Sequence, residues 1–180
     1  MYNPFLIGEQ IYLRSIEAPD ITPTYQGWFN DGEVCKFNDH HRFPMHPEQM
    51  REYYEQVIQS KQNLVLAIIA KEGDAHIGNI SLQSIDIINR SAEFAIIVGN
   101  KEWWGKGVAR EAGKLILDHG ITQLNLHRIY CGTSAANAAM QELALALGFQ
   151  EEGRSRDALF KDGRYHDTIL YGLLASDRRA

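Results

Sequence analysis

The residues of this chain that could do chemistry gather in two places. The first is Trp103-Trp104-Gly105-Lys106-Gly107-Val108-Ala109-Arg110, where two glycines and two cations open an apolar stripe. Val108, Ala112, Leu115 and Ile116 recur at offsets of four, seven and eight, the spacing of an amphipathic helix. The first turn of a helix carries backbone N–H groups without internal partners and a partial positive charge, so an anion is its natural occupant. Gly105 and Gly107 have no Cβ and let a phosphate approach the backbone. Lys106 and Arg110 oppose the helix dipole unless something negative neutralises them. The stretch is therefore either a diphosphate cradle or a glycine turn that only joins two elements. It is neither a dinucleotide fingerprint, whose third glycine fails at Arg110, nor a P-loop, which needs Gly-Lys-Ser/Thr.

The second place is Glu93, the only charged side chain in the apolar run Ala92 to Val98. A carboxyl group in apolar surroundings has its pKa raised toward neutrality and can take a proton from an ammonium. The alternatives are a position at the strand's solvent end or an ion pair with Arg14 or Arg90. Seven histidines invite a metal reading. His40-His41 and His46 lack both zinc-finger and helical i, i+4 spacing, and no metal is expected.

These groups must be carried by regular elements. Ile11 to Arg14 alternates as a short strand, and Asp20 is placed to cap a helix with Ile21, Tyr25, Trp28 and Phe29 on one face. Asn30 to His46 is irregular, with the polar cluster Asn38 to Arg42, and reads as a loop over a pocket or on the surface. Met50, Tyr53, Tyr54, Val57 and Ile58 mark a helix started at Pro47. Leu64 to Ala70 is apolar without alternation, as in a strand covered on both faces; His76 to Leu82 alternates beside it. The glycine-turn helix is expected to stop near His119-Gly120, before a strand over Arg128 to Gly132. An alanine-rich helix ends at Gly148, and two strands joined at Asp162-Gly163 close the chain at Leu174. Strands with short connections imply antiparallel pairing, and the strand-helix-strand step after Val98 implies a parallel crossover. The expected fold is α/β, with a mixed central sheet of about seven strands and helices on both faces.

Composition sets bounds on the rest. At 180 residues, 44% hydrophobic and 23% charged, the chain is expected to form one globular domain over residues 1–180. A net charge of -5 without a basic tract argues against nucleic acid. Cys35 and Cys131 are far apart and lack metal spacing, so reduced thiols and a cytoplasmic setting are expected. No apolar run approaches the length of a membrane span, and Met1 to Gln10 has no signal-peptide core.

Trp104-Gly105-Lys106-Gly107-Val108-Ala109 resembles the acetyl-coenzyme A motif of the GNAT superfamily of N-acetyltransferases, Gln/Arg-x-x-Gly-x-Gly/Ala, with Trp104 departing from its first position. Asn137, Leu143 and Gly148-Phe149 resemble a downstream segment of that family, and Asp162 to Asp167 with Thr168 to Leu174 its closing strands. The likeness spans about residues 12–174. The Trp-Gly-Lys-Gly wording followed by Glu111-Ala112 is similar to the branch holding ribosomal-protein N-terminal acetyltransferases and amino-sugar acetyltransferases.

The resemblance implies a splay between two parallel strands with the pantetheine arm of acetyl-CoA in the gap. It implies coenzyme contacts at Ile96, Ile97, Val98, Trp104, Gly105, Lys106, Gly107, Val108, Ala109, Arg110 and Asn137. Asn137 could instead be a helix-start residue. Under this reading Glu93 is the candidate base, and Glu152 a second, by its place before Gly153; an acidic surface pair with Glu151 is the alternative. The family's tyrosine and serine acids are replaced by Ala144 and Met140, which leaves Tyr130, Tyr165 or water for the leaving thiolate. Trp28, His40, His41, Arg42 and Asp167 are the expected acceptor wall, and its donors favour an amino sugar or nucleotide-linked amino sugar. The alternatives are the N-terminus of a ribosomal or other protein, or acyl-CoA binding without catalysis. A monomer or homodimer is expected.

Overall fold

The computed structural model describes residues 1–178. One mixed sheet of eight strands runs through it in the order β1-β2-β3-β4-β5-β6-β8-β7. The strands are β1 (Leu6–Ile7), β2 (Ile11–Ser15), β3 (Leu64–Ala70), β4 (Ala75–Asp86), β5 (Ser91–Val98), β6 (Arg128–Ser134), β7 (Gln150–Lys161) and β8 (Arg164–Leu174). Four helices accompany them: α1 (Pro23–Phe29), α2 (Pro47–Gln59), α3 (Val108–Thr122) and α4 (Ala138–Ala146). All neighbouring strands pair antiparallel except β5 and β6, which are parallel across the α3 crossover.

The unbroken apolar run of β3 is explained by its two faces. Leu66, Ile68 and Ala70 join the core under α3 and α4, while Val65, Ala67 and Ile69 pack with Tyr54 and Val57 of α2 on the other side. Tyr25, Trp28, Phe29 and Met50 form a third cluster with Ile97 of β5. Helices therefore cover both faces.

Three local readings of the sequence need correction. The sheet has eight strands rather than about seven, because the two-residue β1 pairs with β2 and is too short to show a period. Asp20 does not cap α1. It ends a 3-10 turn and binds Arg14 with both oxygens, at 2.6 and 2.7 Å, while Thr22 Oγ1 accepts the Tyr25 N–H and caps the helix. Gly120 does not end α3, which runs on to Thr122. A Cβ at Gly120 would meet Leu82 at 2.8 Å, so this glycine serves close packing of helix on sheet. At α4 the expected stop holds, with Gly148 at φ 93°.

Candidate active site

The site is organised by a fork in the sheet. β5 and β6 pair only at Ser91–Arg128, Ala92–Ile129 and Glu93–Tyr130, although β5 continues to Val98 and β6 to Ser134. Beyond Glu93 the edge of β5 that faces β6 has no strand partner, and buried or half-buried amides in that state need one. One partner comes from the chain itself: the Trp104 indole N–H donates to the Val98 carbonyl at 2.7 Å. This bond folds the glycine turn back over the end of β5.

The turn then delivers α3. Gly105 has φ 71° and Gly107 φ 81°, left-handed values that a side chain strains to adopt. Nothing lies within 4 Å of a Cβ added at either, so the space before the helix is open. Gly107 is the N-cap and gives no side-chain cap. Glu111, the acid of the first turn, is turned away: its Oε1 accepts the backbone N–H of Gln10 at 3.0 Å. The first-turn amides of α3 are thus left to an external acceptor. Lys106 stands over the Trp103 ring at 4.8 Å, and neither Lys106 nor Arg110 forms an ion pair among the described residues. An unpaired strand edge, an uncapped helix start and two free cations fit a ligand with a peptide-like arm and a diphosphate.

At the same fork, between the diverging strands, lies a cavity of about 640 Å³. That is the size of a small-molecule site. Glu93, Arg128, Tyr130 and Gly132 line it from β5 and β6, Glu152 and Leu159 from β7, Thr168 and Leu170 from β8, and Phe37 to Asp39 from the loop before α2. Glu93 is half-buried and accepts no hydrogen bond among the described residues. The partners that could have neutralised it are engaged elsewhere: Arg14 with Asp20, and Arg90 with the Asn125 side chain at 3.4 Å. Beside it, Cys131 is a poor nucleophile, since burial and then the Glu93 charge push its thiol up to about 12.

Glu152 has a different position. Both its oxygens accept from the Arg128 guanidinium, one at 2.6 Å, and this bond holds its carboxyl below the usual range. The pair spans the intervening strand β8, and Gly172 makes that crossing possible: a Cβ there would lie 2.2 Å from Glu152 Oε1. The expected acidic pair with Glu151 is therefore replaced by an ion pair, and a carboxylate fixed ionised is a weak base.

The expected acceptor wall does not form. Trp28 is 5% exposed and packs edge-on to Tyr25 and His76, with Gly99 against its ring, so it belongs to the core. The His40 ring sits edge-on to Phe29. His41 adopts φ 62° and turns its ring to Gly32. Arg42 binds Asp39 at 2.5 Å, and Asp167 accepts from Arg154 and the Asp157 N–H, each at 3.0 Å. None of these five lines the cavity. Asn137 takes the helix-start role: its Oδ1 accepts the Met140 N–H and its Nδ2 donates to Thr133 Oγ1. Ala144 is fully buried, so no phenol stands there. Arg128 was missed, although Arg128-Ile129-Tyr130-Cys131-Gly132 alternates in a way that puts Arg128, Tyr130 and Gly132 on one face.

A fork beside a glycine-opened helix, with a cavity at the fork, is the arrangement that the resemblance to acetyl-CoA-dependent N-acetyltransferases implies. The acetyltransferase (GNAT) domain family matches residues 10–150, and the chain belongs to that family as an N-acetyltransferase that uses acetyl-CoA. It is 34% identical over 173 residues to an uncharacterized N-acetyltransferase of Bacillus licheniformis, covering 94% of this chain and 95% of that one. It is 43% identical over 100 residues to the spermidine N(1)-acetyltransferase of Vibrio cholerae, 56% of this chain and 57% of that one. A crystal structure of the Vibrio cholerae spermidine N-acetyltransferase in complex with CoA and spermine superposes with a TM-score of 0.86 at 29% identity, covering 95% and 99% of the two chains. Among the described residues no helix is long and apolar enough to cross a membrane.

Proposed function

We propose that this protein acetylates a primary amine of a small cationic acceptor of the polyamine class. The observation that carries the reading is Glu93, a carboxylate without a partner at the fork of the sheet, in a cavity whose carboxylates outnumber its cations. Glu93, Asp39 and Glu152 line it against Arg128 alone. A cationic amine is attracted to such a cavity, whereas the diphosphate of a nucleotide-linked sugar meets more carboxylates than cations in it. The amino-sugar preference rested on the wall of His40, His41, Arg42 and Asp167, and that wall is absent. Relatives named as spermidine acetyltransferases support the same direction.

In this reading the uncapped amides of Val108 to Arg110, with Lys106 and Arg110, hold the diphosphate, and the open edge Ile96 to Val98 takes the pantetheine arm. Bound acetyl-CoA supplies an activated acetyl thioester. Glu93 removes a proton from the ammonium, directly or through water, so that a neutral amine meets the acyl carbon. Arg128 neutralises Glu152, and Glu93 and Asp39 leave the lining a net negative charge that attracts the rest of a cationic acceptor. With alanine at 144 and methionine at 140, the departing thiolate takes its proton from water or from the Tyr130 phenol. Holding amine and thioester together accounts for much of the rate.

The test is thiol release from acetyl-CoA with spermidine, putrescine, 3-amino and 4-amino nucleotide sugars, and peptides beginning with Ala or Ser. Spermidine or putrescine should be turned over with the highest kcat/KM. Turnover of an amino sugar or a peptide with none on the polyamines overturns the reading.

A further inference from the structure

The wall of the cavity formed by Phe37, Asn38 and Asp39 belongs to a segment that contains turns but no helix or strand from Asn30 to His46. Such a segment keeps a defined position only if something outside it holds it. Two lysines do so, one near its start and one at its middle. Lys101, just before the glycine turn, binds Asp31 and Glu33 at 2.8 and 2.6 Å. Lys161, at the tip of the β7–β8 hairpin, donates to the Asn38 carbonyl at 3.2 Å and the His40 carbonyl at 2.8 Å.

The two ties differ in kind. Lys101 forms surface ion pairs, which salt screens. Lys161 is half-buried and its acceptors are backbone carbonyls, brought to one point by local geometry: Asn38 Oδ1 accepts the His40 N–H at 3.0 Å, and His41 follows in the left-handed region at φ 62°. Charge-assisted bonds to carbonyls fix the path of the chain itself, whatever side chains it carries. The partners of Lys161 lie 123 and 121 residues away, and its own hairpin brings Ala158 and Leu159 to the same cavity.

We propose that Lys161 is a positioning residue for the acceptor: by clamping the Asn38 and His40 carbonyls it sets the wall of Phe37 to Asp39 against the β7–β8 hairpin and so fixes the shape of the acceptor cavity. Lys161 does not line the cavity and touches neither reactant. Its role rests on the assignment of that cavity to the amine, and it leaves the coenzyme cleft untouched.

Two measurements on Lys161→Met and Lys161→Arg test this. In steady-state kinetics with spermidine, Lys161→Met should raise the KM for spermidine on the order of tenfold, as expected when a positioning contact is lost, with the KM for acetyl-CoA unchanged. Lys161→Arg, which keeps donors for both carbonyls, should recover most of that loss. A parallel rise in both KM values, or no rise, overturns the clamp. The second measurement needs no substrate: amide hydrogen exchange over residues 36–42 should quicken in Lys161→Met and return toward wild type in Lys161→Arg, with the first turn of α3 unaffected. Unchanged exchange there overturns the clamp by itself. A wild-type protein inactive on every amine, yet with quickened exchange in Lys161→Met, would instead defeat the assignment of the acceptor and leave the clamp standing.

Discussion

On the glycine-turn side of the fork, the residues proposed to hold the coenzyme come from one stretch, Ile96 to Arg110, shaped by two left-handed glycines and one indole-to-carbonyl bond. On the cavity side the wall is assembled from residues 37–39, from β5 and β6, and from the β7–β8 hairpin, joined by the Arg128–Glu152 pair and the Lys161 clamp. The first side is local, and a handful of neighbouring residues specifies it. The second depends on contacts across the whole chain, so it can be altered by changes far from the reacting atoms while the coenzyme cleft persists. A change of acceptor therefore needs no change in the fold or in the glycine turn.

The comparison is sharpest at Glu93, where the two sides meet. Glu93→Gln keeps the shape and removes the base, so kcat with spermidine should fall roughly 10²- to 10⁴-fold while the affinity for acetyl-CoA stays within about twofold. The acidic limb of the kcat/KM profile should flatten in the variant. A profile identical to that of the wild type would leave Glu93 a structural residue of the fork.

Gly107→Glu breaks the other side. At φ 81° a side chain is strained, and a carboxylate at the start of α3 competes for the amides offered to the diphosphate. Acetyl-CoA affinity by calorimetry should drop about ten- to a hundredfold. The exchange behaviour of residues 36–42, on the acceptor side, should not change. Unaltered coenzyme affinity would remove the glycine turn from the site.

This division also explains what could be read in advance. The succession of strands and helices along the chain from β2 to β8, the parallel step from β5 to β6 and the glycine-opened helix follow from periodicity and turn chemistry within windows of a few residues, and all of them hold. The acceptor wall expected from the sequence does not form, because polar side chains adjacent in sequence, His40, His41 and Arg42, need not face one space. In the structure Arg42 folds onto Asp39, His40 onto Phe29 and His41 toward Gly32. Their neighbours in space decide this, and a 17-residue irregular segment has no period that would announce those neighbours. Glu152 was located but not its partner, since the contact requires knowing that β8 lies between β7 and β6 and that Gly172 leaves room for the carboxylate to cross.

The smallest effect on the reaction is expected at the support of the acceptor-side layer, the buried pair of Arg14 and Asp20. Burial alone would raise the Asp20 pKa. The Arg14 hydrogen bonds and the Glu17 N–H outweigh it, and the carboxyl is held below its ordinary value of 3.8. A carboxylate with a depressed folded-state pKa stabilises the protein above its unfolded pKa, and that stabilisation is lost as pH falls through the folded-state value. Arg14, raised further by the same contact, stays charged throughout. Asp20→Asn leaves the guanidinium buried without its counter-charge, which costs about 3 kcal/mol at neutral pH, or roughly 6–12 °C in Tm for a chain of this size. Because the wild type gives up the same interaction in acid, the Tm gap between the two proteins should stay constant from pH 8 to about 5 and narrow below about pH 4. At 20 °C and pH 7 the acetyl-CoA affinity of Asp20→Asn should match that of the wild type, since the pair lies apart from the glycine turn. Thermal melts across that pH range check it: a gap that is absent at pH 7, or that widens in acid, would show that the pair does not support the fold in this way.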